Sequence, residues 1–201
     1  GATPVHLAKR LDCLAVGVDL LPSMVKQAQR RVAGEGLSAS IRLAAADARR
    51  LPFRDKAFDA VITESVNVFF EDKVRAIREY ARVTKPGGYV GITEMTWLAE
   101  PSEEKKAYYR RTVYADALQA DEWIALLKEA GLEDVQGHAE PVHMAKEGRG
   151  RLQRYGCSGF VRVLLNFLVT LFRDRESRAF LGSTTRSIPR DMITDTGYGV
   201  Y

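Results

Sequence analysis

Residues 16–25 read VGVDLLPSMV, a short apolar run that meets one aspartate, two leucines and then a proline opening a helical pattern. An ionised carboxylate is costly to take out of water, so an acid at the end of an apolar strand must face solvent or a polar ligand. Pro22 suits the first turn of a helix, where its missing N–H leaves no bond unmade. The stretch therefore reads as a strand that delivers Asp19 to an open edge and turns directly into a helix. What Asp19 meets there sets the function.

The same unit recurs on both sides of this stretch. Upstream, Thr3-Pro4 reads as an N-cap with proline behind it, which predicts a helix over Pro4–Leu11 before the strand Leu14–Val18. A parallel α/β domain that starts in a helix is expected to have a strand and loop before it. Downstream, a helix over Pro22–Ala33 is closed by Gly34 and Gly36, and Ile41–Ala45 is a second strand leading to Asp47. After the loop RRLPFRDKA (49–57), the β-branched run FDAVIT (58–63) is a third strand, as expected where both sheet faces are covered.

A helix over Glu71–Val83 stops at KPGG (85–88), where proline and paired glycines predict a turn, and Tyr89–Met95 is a fourth strand. Helices follow over Ser102–Tyr114 and Ala120–Ala130, then a strand over Val135–His143. From about 149 the pattern becomes a long helical stretch centred on FVRVLLNFLVTLF (160–172), and GYGVY (197–201) reads as a closing strand. The alternation predicts an α/β fold: a doubly wound, mostly parallel Rossmann-like sheet with flanking helices, and a helical insertion (149–181) before the last strand. The 201 residues fit a single domain, 1–201, with a substantial core.

Composition, at 46% hydrophobic and 28% charged, is that of an ordinary globular protein. Cys13 and Cys157 are far apart, match no metal spacing and sit in apolar surroundings, which points to buried thiols in a reducing, cytoplasmic setting. There is no secretory leader pattern and no uncharged apolar run of about 18 residues. Residues 146–190 carry ten Lys or Arg against three acids, while the rest of the chain is net negative. That basic segment suits a solvated face, an anionic substrate, a membrane surface or nucleic acid.

Ligands of open α/β sheets bind beyond the carboxyl ends of the strands. Here three successive strand ends carry polar groups: Asp19, Asp47 and Glu64-Ser65. A carboxylate accepts two hydrogen bonds at once, which suits the paired hydroxyls of a ribose at Asp19. Asp47 is placed to accept from a donor such as the exocyclic amine of adenine. Any one of these acids alone reads as a loop cap; three in order point to a nucleotide-like ligand.

VGVDLLPSMV, AAADARRLPFRDKAFDAVITES and KPGGYVGITE together resemble class I S-adenosylmethionine-dependent methyltransferases. The closer likeness is to the type 11 small-molecule group, which includes the ubiquinone and menaquinone C-methyltransferases. The likeness covers roughly Gly1–Val135, and its specificity lies in the order of the motifs. It implies S-adenosylmethionine as cofactor, with Asp19 on the ribose hydroxyls, Leu20 and Met24 against the nucleoside, Asp47 on the adenine amine and the Ala48 backbone at the ring. Glu64 and Ser65 then lie near the methionine moiety, and Gly1 stands where the last glycine of the family's glycine-rich loop is expected. Most of that loop and the strand before it precede Gly1 in the family pattern.

Methyl transfer from a sulfonium needs alignment rather than a nucleophilic residue or a metal, and none is expected here. A proton on the acceptor would need a base, for which Glu64 and His143 are the candidates, with His138 a weaker one. The acceptor is expected to be a small apolar or aromatic molecule bound by Phe69, Trp97, Tyr108 and Tyr109. The apolar helix over 158–173 is either a cover for the site or a peripheral membrane contact.

Two other functions share the fold. A nicotinamide-dependent reductase fits Asp19, yet the chain has no Tyr-x-x-x-Lys pair. A non-enzymatic cofactor-binding or scaffold protein is the other. Nucleic acid is not the expected partner, because ESVN (64–67) stands where nucleic-acid methyltransferases carry an Asn-Pro-Pro-Tyr-like tetrapeptide. The oligomeric state is not legible from the sequence.

Overall fold

The structure, a computed structural model, describes residues 1–141 and 194–201. His143, Cys157, the expected insertion over 149–181 and the 158–173 helix lie outside the described residues. The described residues form two compact units. The first comprises Gly1–Val61, Asp72–Val90 and Glu129–Leu132; the second comprises Ile62–Glu71, Gly91–Lys128 and the described part of Glu133–Tyr201.

In the first unit, α1 (Ala2–Leu11) and α2 (Pro22–Gly34) pack on a parallel pair, β1 (Ala15–Asp19) and β2 (Ile41–Ala45). The register runs from Ala15 opposite Ile41 to Asp19 opposite Ala45, so both carboxyl ends lie at one edge. Val5 and Ala8 of α1, Val32 of α2 and Ile41 of β2 form the core here, joined by Ala15, Leu37 and Leu43. Burying such a Val or Ile contributes about 1.5–3 kcal/mol. Gly1, not Thr3, is the N-cap of α1, and Pro4 falls in the first turn, where prolines are tolerated. A Cβ on Gly1 would lie 2.7 Å from the Ala28 Cβ and 2.8 Å from its Cα, so glycine lets the start of α1 rest on α2.

The chain continues through β3 (Phe58–Glu64) to α3 (Lys73–Val83), which starts two residues later than the pattern predicted. Asp72 fixes that start by accepting from Arg75 N at 3.0 Å. The expected turn at KPGG is absorbed into β4 (Thr84–Trp97), which follows α3 without a break. Gly87 takes φ +73°, and a Cβ on Gly88 would sit 2.6 Å from the Asp59 carbonyl oxygen. The glycines thus serve one bend and one close approach of strands.

In the second unit, a 3-10 turn (Asn67–Phe69) follows β3. After β4 come α4 (Glu103–Thr112), β5 (Leu118–Gln119), α5 (Ala120–Glu129), β6 (His138–Pro141) and β7 (Thr196–Val200). Strand order is β3-β4-β7-β6, with β5 beside the end of β4. β4 and β5 are parallel, whereas β7 runs antiparallel to both β4 and β6. The α/β class stands as expected, with an antiparallel C-terminal edge added to it. α4 ends before Tyr114, which takes φ +55°. Trp123, Leu127 and Ile92 are fully buried, and the Trp123 ring lies 6.3 Å from that of Tyr201. Among the described residues, no helix is long and apolar enough to cross a membrane.

Candidate functional site

Because β1 and β2 are parallel and in register, Asp19 and Asp47 come to the same edge of the first unit. Asp19 is exposed, and its Oδ1 accepts from Leu21 N at 2.9 Å. This bond orients the carboxylate across the start of α2. Leu20, 61% exposed, and Met24, 44% exposed, stand open beside it. Exposed apolar side chains adjoining an exposed acid suit a ligand with a hydroxylated part and a flat apolar part, as a nucleoside has.

Asp47 is more engaged than the sequence suggests. Arg49 donates to it from its backbone N at 2.9 Å, from Nε at 3.0 Å and from Nη2 at 2.7 Å. Those bonds favour the ionised acid and hold its pKa at about 2. The signal was present in Asp47-Ala48-Arg49, since an acid two residues before an arginine at a strand exit can pair locally. Farther along the loop, Arg82 of α3 donates to the Leu51 and Phe53 carbonyl oxygens, to Asp55 and to both oxygens of Glu79. Glu79 in turn accepts from Leu51 N at 2.8 Å. The LPFRD stretch is therefore clamped to α3, and its edge of the unit is fixed.

In the second unit, β3 ends at Glu64, exposed, and Ser65 takes φ +51°. A left-handed serine costs free energy unless its surroundings impose it. Ser65 N donates to Thr93 O at 2.8 Å. Beyond it, Val66 N, Asn67 N and Asn67 Nδ2 all donate to one atom, Oε1 of Glu94, at 3.0, 2.8 and 2.9 Å. Glu94 is 0% exposed, and its Oε2 is buried with no hydrogen-bond partner among the described residues. Burial pushes its pKa up, against the opposing pull of the Asn67 and Val66 donors. Nothing in GITE (91–94) distinguishes a buried glutamate from an exposed one, so the sequence does not single this acid out.

Phe69 and Phe70 line a cleft of about 390 Å³ in the same unit. Val68, Glu71, Arg110, Tyr114, Ala115 and Asp116 line the same cleft. That volume falls in the range of small-molecule sites. Phe69 is 55% and Tyr114 82% exposed, while Arg110 Nε donates to Asp116 Oδ1 at 3.0 Å. Trp97, Tyr108 and Tyr109 are buried instead. Trp97 Nε1 donates to Ala117 O at 3.0 Å, and its ring meets Tyr109 edge-on at 5.0 Å. His138 is exposed on β6, with Nε2 3.1 Å from Glu140 Oε1.

Comparison with known proteins gives the chain's relatives. A methyltransferase-domain profile matches residues 1–92. An uncharacterized protein of Methanocaldococcus jannaschii is 32% identical over 75% of this chain and 72% of its own length. One of Haemophilus influenzae is 28% identical over 90% and 73%. Ajmaline N-methyltransferase of Rauvolfia serpentina is 35% identical over 46% of this chain, which spans about a third (32%) of that enzyme. Among solved structures, phosphoethanolamine N-methyltransferase 2 of Haemonchus contortus, in complex with S-adenosyl-L-methionine, matches 97% of this chain and 44% of its own at TM-score 0.69 and 18% identity. The cyclase SpnF matches 98% and 67% at TM-score 0.71 and 23% identity, so the fold also carries other chemistry.

Proposed function

The chain belongs to the class I S-adenosylmethionine-dependent methyltransferases, and from that premise we propose that it methylates a small acceptor with an apolar or aromatic body. The observation that carries the reading is the pairing of Asp19 and Asp47 at one edge of the parallel strands, with Leu20 and Met24 exposed beside them. We read 1–201 as one methyltransferase domain.

S-adenosylmethionine supplies a sulfonium methyl group, transferred in line, so the chain's residues contribute chiefly alignment, worth up to about 7–11 kcal/mol. Asp19 accepts from the ribose hydroxyls, and Leu20 and Met24 cover one side of the nucleoside. Asp47 accepts from the adenine amine in exchange for part of its pairing with Arg49, beside the Ala48 backbone. Gly1 serves the close packing of α1 on α2. Glu64 and Ser65 meet the amino-acid end of the cofactor, and Glu64 is the candidate base; His143 is the alternative.

The acceptor is assigned to the cleft lined by Phe69 and Tyr114. Ajmaline N-methyltransferase and phosphoethanolamine N-methyltransferase 1 are among the matching relatives, and the Glu71 carboxylate beside the Phe69 and Tyr114 rings suits an amine nitrogen. Transfer of labelled methyl to a panel of aromatic amines, phenols and quinones tests the reading. Phe69→Asp is expected to raise the acceptor KM about tenfold, the scale of one lost apolar contact, with S-adenosylhomocysteine affinity unchanged. Transfer to no member of the panel, or an unchanged acceptor KM, counts against it.

A further inference from the structure

Glu94 sits at the centre of a construction that the cofactor reading does not use. Ser65 is left-handed and Val66 right-handed (φ −118°, ψ −42°). Successive residues of opposite hand turn their backbone N–H groups toward one point and form a concavity that binds an anion. Here the concavity is already filled from within, by Glu94 Oε1, which accepts from Val66 N and Asn67 N. The Asn67 amide ties the same oxygen to Thr63, donating to Glu94 Oε1 at 2.9 Å and to Thr63 Oγ1 at 3.0 Å. A strained serine persists only where its neighbours over-determine it, and these bonds, with Ser65 N to Thr93 O, do so.

We propose that Glu94 is the positioning residue of the cofactor's amino-acid subsite: its buried carboxyl locks the Ser65–Asn67 backbone so that Glu64 and Ser65 are held in the geometry the ligand requires. The inference rests on the assignment of Glu64 and Ser65 to that end of the cofactor. A side chain that contacts no ligand thereby controls affinity for one half of it. The nucleoside half is assigned to Asp19 and Asp47.

The test compares two ligands on the full-length protein, S-adenosylhomocysteine and 5′-methylthioadenosine, the second lacking the amino-acid group. Glu94→Met leaves the loop donors without an acceptor and is expected to weaken S-adenosylhomocysteine about tenfold or more while sparing methylthioadenosine. Glu94→Gln keeps an oxygen acceptor and should preserve both affinities within about threefold. A general loss of stability would weaken both ligands together, so the ratio of the two affinities separates positioning from mere structure. A folded Glu94→Met protein with an unchanged ratio overturns the proposal.

Should that variant fail to fold, amide exchange in the wild-type protein decides. Val66 and Asn67 amides should be protected before ligand is added; exchange at the rate of an open loop overturns the proposal. Wild-type protein that binds neither ligand overturns the functional reading, and this inference falls with it. Binding of methylthioadenosine as tightly as S-adenosylhomocysteine overturns the subsite alone.

Discussion

At Asp47 and Glu94, two carboxyl groups of one chain are driven in opposite directions by their surroundings. The Arg49 guanidinium holds Asp47 well below the ordinary carboxylate range, at about 2. Its contribution to stability is therefore present above the unfolded value, about 3.9, and is lost as pH falls through about 2. Replacing Arg49 with alanine should return the Asp47 titration, followed by carbon NMR of its carboxyl, toward about 3.9; an unmoved titration contradicts the pairing. Glu94 behaves inversely, because burial raises its pKa. Folding favours its protonated form, so that contribution is complete below about 4.3 and declines as pH rises through the folded-state value. Urea midpoints measured from pH 4 to 8 should show this decline in the wild type and a flatter profile in Glu94→Gln; parallel profiles contradict it. Asp19 and Asp47 were legible in the sequence because an acid after an apolar strand is conspicuous. Glu94 was not, since its role is set by what packs around β4.

The strands and helices followed from local pattern wherever one element faced one environment. β2 has the predicted bounds, Ile41–Ala45, because its apolar run ends in the polar loop that carries Asp47. KPGG read as a break because proline and glycine punctuate turns, yet proline's fixed φ is compatible with extended backbone, and Gly88 admits the neighbouring strand. β5 was missed because two residues carry no periodicity, and the antiparallel sense of β7 depends on pairing that no local pattern encodes. Arg82 shows how an element can fix a loop. It makes bonds to two backbone carbonyls and two acids, and its loss leaves several of those acceptors unpaired. Arg82→Met is predicted to destabilise the protein by about 1–3 kcal/mol and to speed amide exchange at Leu51, whose partner Glu79 it anchors. Unchanged exchange there would show that the loop holds itself.

For the molecule as a whole, the α/β core is that of the methyltransferase fold. In the proposed reading the acceptor binds in the 390 Å³ cleft lined by Phe69 and Tyr114. Phe69 was singled out in the sequence as an aromatic for such a site, whereas Arg110 and Tyr114 were not named individually, because their place beside Phe69 depends on where α4 ends. The central claim is that the edge bearing Asp19 and Asp47 binds the nucleoside of S-adenosylmethionine. Calorimetric titration of S-adenosylhomocysteine into the full-length protein and into Asp19→Ala tests it most directly. We predict binding near the micromolar range for the wild type, about 8 kcal/mol, weakened at least tenfold in the variant by the loss of charged hydrogen bonds to the ribose. Equal affinity in a folded Asp19→Ala protein, or no heat of binding in the wild type, would contradict it.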